Sequence, residues 1–444
     1  MRRAKGQSAF SICALIIFVS QCTMLMKYAF VLGRNPDLSV AELGSFFGEK
    51  CEVIKGGGVA KVAGPLPGKS PQEFLNRLGG CTEILEIFAE SLSIGVFEKS
   101  LTDFLIKKLT GHDGKCLFAV SVVANAAQGQ KENRSSKLLK HLLPKLKKTL
   151  RAAGINANFA NNNFENVSPV FAVKNRLNST GANVSIIEEG DGVVTLGSSV
   201  AMQDFEAYSK RDYGKPARDA QVGMLPPKLA QVMVNLGLNV TSVPNVTLSL
   251  SKGFIIDPFC GTGTILMEAL LMGHSAFGSD LDVRMTQAAQ KNLEWLGKSF
   301  NVAPGAQHKV TNKSAAELKK EDIGNLLTSK TQLAVVAEPH LGPPLTRFPA
   351  DAFLAKVAAE LSQLYLAFFK NLAKWLPTET PIVFIFPYWK KVGGQRFRLT
   401  EGLIAKILPL GYSESVFVPL KTTSLFYERP DQTVGREIMR FIKK

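Results

Sequence analysis

Cysteine and histidine are thinly spread in this 444-residue chain, which has six of the first and five of the second. None of the cysteines forms a C-x-x-C pair, and no H-E-x-x-H helix or other zinc-ligand spacing occurs, so no structural metal is expected. A disulfide framework is not expected in a chain this long, and a reducing compartment is favoured. Acidic residues are also in deficit, with Asp+Glu at 37 against Lys+Arg at 53, a formal net charge of +16 and a pI of about 9.5. Such an imbalance suits a polyanionic partner, nucleic acid ahead of an anionic membrane. Long apolar runs are missing. The stretch from Phe10 to Val19 follows a basic start, as a secretory signal would, but is short for a transmembrane span, and Gln21 spoils the small-residue pattern of a cleavage site. Residues 1–25 read as an extension or leader, with a misassigned start upstream of Met24 or Met26 preferred over export.

The length and the 45% hydrophobic content predict two or three folded domains. From Lys27 the pattern alternates quickly. KYAFVLG reads as a strand, Ser39 as the cap of a helix, GGGVAKVAG as a strand pair or turn, Pro71–Leu78 as a helix and TEILEIFAE as a strand. This order predicts a ferredoxin-like unit over residues 26–97. A second unit, 98–202, opens with a helix at Leu101–Leu109 and a strand at CLFAVSVVAN, and ends with strands at VFAVKNRL, NVSIIEE and GVVTLGSSV. Between them, Leu138, Leu139, Leu142, Leu146 and Leu150 recur at helical spacing beside a basic face, with Pro144 expected to kink or restart the helix. That face suits either a solvated core helix or a phosphate-contacting surface. Residues 203–250 form a linker ending in a Pro-started helix, and 251–444 alternate apolar strands with longer helices, as a parallel α/β sheet does.

The richest segment runs GFIIDPFCGTGTILMEAL from Gly253. A buried strand ends at Asp257, a tight glycine loop follows, and a helix begins at Thr264. Glycines there let backbone approach a ligand closely. No lysine follows them, which excludes a phosphate loop, and three residues after Gly263 stands Leu266, which departs from G-x-G-x-x-G. The loop is not built to wrap a pyrophosphate. At the usual offset for a ribose-binding acid, AFGSDLD ends a second strand on Asp280. Asp280 would accept from two ribose hydroxyls of a nucleoside such as S-adenosyl-L-methionine, or serve as a plain helix cap.

These motifs resemble the Rossmann-like S-adenosylmethionine-dependent methyltransferases, in particular the THUMP-domain tRNA guanosine-N2 methyltransferases of the guanosine-10 type. The segments that carry the likeness are KYAFVLGRNPDLSVAEL, RDYGKPARDAQVGMLPPKLAQVMVNL, DPFCGTGTILMEAL and GSDLDVRMTQAAQKNLEWL, with SLFYERPDQTVGREI matching more weakly. The resemblance implies an α/β fold: a C-terminal Rossmann-like methyltransferase domain preceded by an α+β ferredoxin-like unit and a THUMP-like RNA-binding unit. It implies that Asp257, Phe259, Gly261, Gly263, Thr264, Asp280 and Leu281 line the cofactor. Where the family carries an acid for the adenine amine, this chain reads Asn312-Lys313-Ser314, so Ser314 takes that place.

After the fourth strand the family has an Asp/Asn-Pro-Pro-Tyr motif. The chain has Glu338-Pro339-His340-Leu341. The acid survives with one more methylene, the first proline survives, and Leu341 replaces the aromatic that would stack the base. Phe386, Tyr388 or Trp389 are candidates to restore it. Glu338, Pro339 and His340 are the catalytic candidates, with His340 as either a turn residue or a base. Arg134, Lys137, Lys140, Lys147, Lys148, Arg211 and Arg218 are the candidate RNA contacts. The implied activity is methylation of a guanosine N2 amine in tRNA, in the cytoplasm, without stable membrane association. The partners are tRNA and, as some family members would have it, a small activating protein subunit. The rivals are a catalytically weak RNA-binding protein of the same fold and a DNA amino-methyltransferase.

Overall fold

The computed structural model describes residues 26–444 apart from 94, 113, 124–127, 219–223, 239–251, 325–330, 346–347 and 430–431, and no side chains for 128–133. Residues 1–25, on which the leader reading falls, lie outside the described residues.

The first half is organised by one eight-stranded sheet. In chain order its elements are β1 (Lys27–Leu32), α1 (Pro36–Phe47), β2 (Glu52–Val53), β3 (Val59–Ala63), α2 (Pro71–Leu75) and β4 (Cys81–Ser93). They continue with α3 (Phe97–Leu109), β5 (Cys116–Val123), α4 (Gln128–Ala152), β6 (Ala157–Phe159), α5 (Pro169–Lys174), β7 (Ala182–Gly190) and β8 (Val193–Met202). The strand order β2-β3-β1-β4-β8-β7-β5-β6 joins both expected units into a continuous surface through antiparallel pairing of β4 with β8. Two large clusters dominate the core, and smaller contacts such as Leu85 with Ile187 cross between them. Phe30, Phe46, Phe47 and Phe74 pack edge-to-face on one side of the seam, and Phe97, Leu105, Phe118, Leu142 and Leu146 gather on the other.

Three local expectations are corrected. Ser39 lies inside α1, which starts at Pro36, and its hydroxyl donates to the Asn35 and Gly80 carbonyls. VFAVKNRL contains helix α5 rather than a strand, because Pro169 sits at its first turn and the Ser168 hydroxyl accepts from the Phe171 N–H. That short-range capping outweighs the β preference of two valines and a phenylalanine. α4 runs unbroken through Pro144, which is exposed, as is Lys140 one turn earlier, whose carbonyl a proline cannot meet.

After α6 (Phe205–Tyr213) and α7 (Pro227–Leu238) the second sheet begins. Its elements are β9 (Gly253–Asp257), α8 (Thr264–Leu271), β10 (Ser275–Asp280), α9 (Val283–Ser299), β11 (His308–Asn312), α10 (Lys320–Ile323), β12 (Gln332–Ala337) and α11 (Asp351–Leu372). Then follow β13 (Pro381–Lys390), β14 (Arg396–Arg398), α12 (Ile404–Ile407), β15 (Tyr412–Glu414), β16 (Ser424–Tyr427) and β17 (Val434–Lys443). The order β11-β10-β9-β12-β13-β17-β15 is parallel through β13, and β17 runs antiparallel between β13 and β15. This is the expected doubly wound, Rossmann-like sheet. Strand order reverses between β9 and β12, the switch point where such sheets hold ligands. α11 is long and apolar enough to cross a membrane by length and composition, and here Leu354, Val357, Leu361, Tyr365 and Phe368 on it pack on the sheet.

The two halves meet through buried polar groups. The Glu42 carboxylate on α1 accepts from the Gly79 and Gly80 N–H groups and from Asn235 on α7. Burial pushes its carboxyl up to about 7, against the pull of those three donors. Arg77 reaches across to the Met272 carbonyl. A Cβ on Gly79 would lie 2.0 Å from the Lys228 carbonyl oxygen, so the junction has no room for a side chain there.

Candidate active site

The loop after β9 is shaped by its glycines. Gly261 and Gly263 have φ of +49° and +83°, which a side chain would strain. A Cβ at Gly263 would also press on Ala289 of α9 at 3.1 Å, whereas one at Gly261 would meet open space. Asp257 is buried at the end of β9. Its Oδ1 accepts from the Phe259 N–H, and its Oδ2 is buried without a hydrogen-bond partner. Desolvation drives its carboxyl well above the usual range, and the charges of Asp280 and Glu338 push the same way.

Asp280 is wired to the loop rather than to the helix that follows. Its Oδ2 accepts from the Gly261 N–H at 2.9 Å and its Oδ1 from the Asp282 N–H at 2.9 Å. The cap of α9 is Asp282, which accepts from the Arg284 N–H. A carboxylate has about four acceptor positions, so Asp280 retains capacity for two further donors. Beside it Leu281 is 75% exposed, and Phe259 is half-buried against Phe368 and Phe384. Thr264 opens α8. Ser314 stands half-buried beyond the end of β11, its hydroxyl accepting from the Ala316 N–H. The eight cofactor-lining candidates thus sit at or just beyond the carboxyl ends of β9, β10 and β11.

Across the switch point, β12 ends at Ala337 and delivers Glu338, half-buried, and Pro339, buried. The Glu338 Oε1 accepts from Arg436 Nε on β17, and both side chains are largely shielded from solvent. Tyr365, buried on α11, donates to the His340 carbonyl at 2.6 Å and pins the backbone of the motif. The His340 side chain itself is exposed. Phe386, Tyr388 and Trp389, the candidates for restoring a base stack, are fully buried in the core and unable to do so. They are core rather than loop residues because the β13 strand continues through them to Lys390.

The basic candidates divide. Arg134, Lys137, Lys140 and Lys148 are exposed along α4 while Leu139, Leu142, Leu146 and Leu150 are buried. Arg134 lies 3.8 Å from Glu188, and Lys147 is half-buried over the Phe159 ring. Arg218 is exposed and lies over the exposed Tyr213 ring. Arg211 is not a surface group. It is buried, stacked on Tyr208 and paired at 2.7 Å with the fully buried Glu268 of α8. It fastens α6 to α8, the helix that follows the glycine loop.

Two residues that sequence reasoning passed over tie the connector to the same region. Lys215, buried, donates to the Thr264 hydroxyl at 2.9 Å, and burial lowers its pKa. Asn292 of α9, also buried, bonds both the N–H and the carbonyl of Ala217 and the carbonyl of Thr262. The signal for Asn292 was its place on the inward face of an amphipathic helix, where a polar side chain needs partners. Among the described residues no group of acids, histidines and cysteines is arranged to hold a metal ion.

Comparison with known proteins adds a family. Residues 217–324 match the RMKL-like, methyltransferase domain model. A tRNA (guanine(10)-N2)-dimethyltransferase from Methanothermobacter thermautotrophicus is 43% identical over 76 residues, which is 17% of this chain and 19% of that protein. One of the same name from Pyrococcus abyssi is 38% identical over 87 residues, covering 19% and 23% of the two chains. The alignments thus span about a fifth of the length of these relatives. The crystal structure of TrmN from Thermus thermophilus aligns with 94% of this chain and 100% of its own at 16% identity, with a TM-score of 0.46. The expected resemblance holds over the cofactor half of the second sheet. Residues 217–324 of this chain are thus similar to the RMKL-like methyltransferase domain.

Proposed function

We propose that the protein transfers a methyl group from S-adenosylmethionine to the N2 amine of a guanosine in tRNA. The observation that carries this reading is the pair of acids on opposite sides of the switch point. Asp280 is set to hold a ribose and Glu338 to receive an exocyclic amine, and both charges act on the buried Asp257 carboxyl. The residues present fit the cofactor: an orphaned buried oxygen on Asp257, an open cradle at Gly261, spare acceptor capacity on Asp280 and apolar walls from Leu281 and Phe259. When bound, the cofactor supplies a methyl on a positively charged sulfur.

The chain's own residues orient the acceptor. An aromatic amine is a weak nucleophile because its lone pair is drawn into the ring. Glu338 accepting one of its hydrogens aims the nitrogen, and the rigid Pro339 turn, pinned by Tyr365, fixes that acceptor in place. His340 points to solvent and is not needed as a base, since the amine proton leaves to water after transfer.

The front half, in this reading, is a ferredoxin-like unit followed by a THUMP-like unit that grips folded RNA by shape and phosphates. The exposed basic side of α4, with Lys137, Lys140 and Lys148, supports it. The target base leaves its stack to reach Glu338. A second reading, an RNA-binding protein with little catalysis, draws on the Arg436 partner that occupies the Glu338 oxygen.

Transfer of labelled methyl to unmodified tRNA, followed by nucleoside analysis, tests the proposal. Wild type yields N2-methylguanosine, and Glu338→Ala lowers kcat roughly 100- to 1000-fold. Tight tRNA binding without transfer by wild type supports the second reading instead.

A further inference from the structure

The motif that should stack the target base has Leu341 in place of its aromatic ring, and Phe386, Tyr388 and Trp389 of β13 are buried. The second sheet offers another ring. Tyr427 ends β16 and is paired across the ladder directly opposite Arg436 of β17, so their side chains share one face. The Arg436 guanidinium lies 5.8 Å from the centre of the Tyr427 ring, and the same guanidinium binds Glu338. One side chain therefore separates the proposed amine acceptor from an aromatic face. Tyr427 is half-buried, and it packs against the same apolar cluster as Leu341, with Leu425, Ile438 and Ile385 beneath.

We infer that Tyr427 is the stacking platform for the target base, and that Arg436 is a positioning residue that holds the platform and Glu338 in register. This deepens the function proposed above and rests on it. The hairpin β16–β17 then contributes the ring lost from the β12 turn. A planar guanidinium suits that bridge because it can donate to a carboxylate in its plane while its face meets a ring. Phe348 is the aromatic nearest the turn in sequence and is 55% exposed, which makes it the rival platform.

The test uses the full chain and a tRNA that wild type methylates. Tyr427→Leu keeps apolar packing against Leu341 and removes the ring. Tyr427→Phe keeps the ring, and Phe348→Leu removes the rival. Tyr427→Leu should lower kcat/KM roughly 10- to 100-fold, the worth of one base–aromatic stack, with Tyr427→Phe near wild type and cofactor affinity unchanged. In tRNA carrying 2-aminopurine at the methylated position, the fluorescence of the bound base should be quenched by wild type and Tyr427→Phe and bright with Tyr427→Leu. A Tyr427→Leu enzyme as active and as quenching as wild type, or a loss confined to Phe348→Leu, overturns the platform while leaving the methyltransferase reading intact. A wild type that transfers no methyl to tRNA overturns both.

Discussion

The two sides of the candidate site are wired over very different spans of chain. On the cofactor side the Gly261 N–H meets Asp280 nineteen residues away, and Asp257 meets Phe259 two residues away. On the acceptor side Glu338 is held by Arg436 ninety-eight residues later, and the His340 carbonyl by Tyr365 twenty-five residues later. The first side is a pattern within one strand–loop–helix–strand unit. The second exists only once β17 has inserted beside β13. A short-range site is tied to its own sequence, whereas a long-range one depends on which distant strands pair.

That contrast can be broken from the side that looks more local. Although the glycine loop is self-contained, the helix that follows it is fastened by Arg211. Arg211→Ala leaves Glu268 buried and unpaired, and should lower unfolding free energy by about 3–5 kcal/mol in denaturant titration. An unchanged midpoint would mean the connector does not support that helix. The next effect sharpens the local side. Asp280→Asn removes a charged acceptor, sets an amide N–H against backbone donors and should weaken S-adenosylmethionine binding roughly 10- to 100-fold by calorimetry. Equal affinity would place the ribose elsewhere.

The smallest effect probes the junction of the two halves. Glu42 has a folded-state carboxyl pushed up to about 7, above its unfolded value. The folded state therefore holds the proton more tightly, and stability falls as pH rises from the ordinary carboxyl range through about 7. Glu42→Gln should remove that part of the slope, so that wild type is favoured relative to the variant at pH 5 and loses ground by pH 8. Parallel stability curves for the two would show that Glu42 does not titrate in this window.

Much of the second sheet was legible because its signals are local. DPFCGTGT and GSDLD each combine a buried strand, a special turn and a following helix within a few residues. The spacing of leucines in α4 likewise announced which side is core, and the helix overrode Pro144 because the proline lies on the solvent side. Legibility failed where a basic or aromatic residue could lie either in or out. Arg211 and Arg218 stand seven residues apart in one polar stretch, yet one is buried against Glu268 and the other is exposed. Likewise IFPYWK has the composition of a binding loop but is the middle and end of a central strand.

By itself the sequence determined the order of strands and helices around the second sheet, the positive-φ glycine loop after its first strand, and the acid placed one strand away. Those depend on backbone stereochemistry and on contacts between near neighbours in the chain. Only the tertiary structure decided that the two front units share a sheet through β4 and β8, that Glu338 faces an arginine, and that Tyr427 rather than Trp389 lies beside it. Such outcomes depend on which distant strands pair, because pairing sets which face each side chain takes and so which charges and rings are left at the edge of the site.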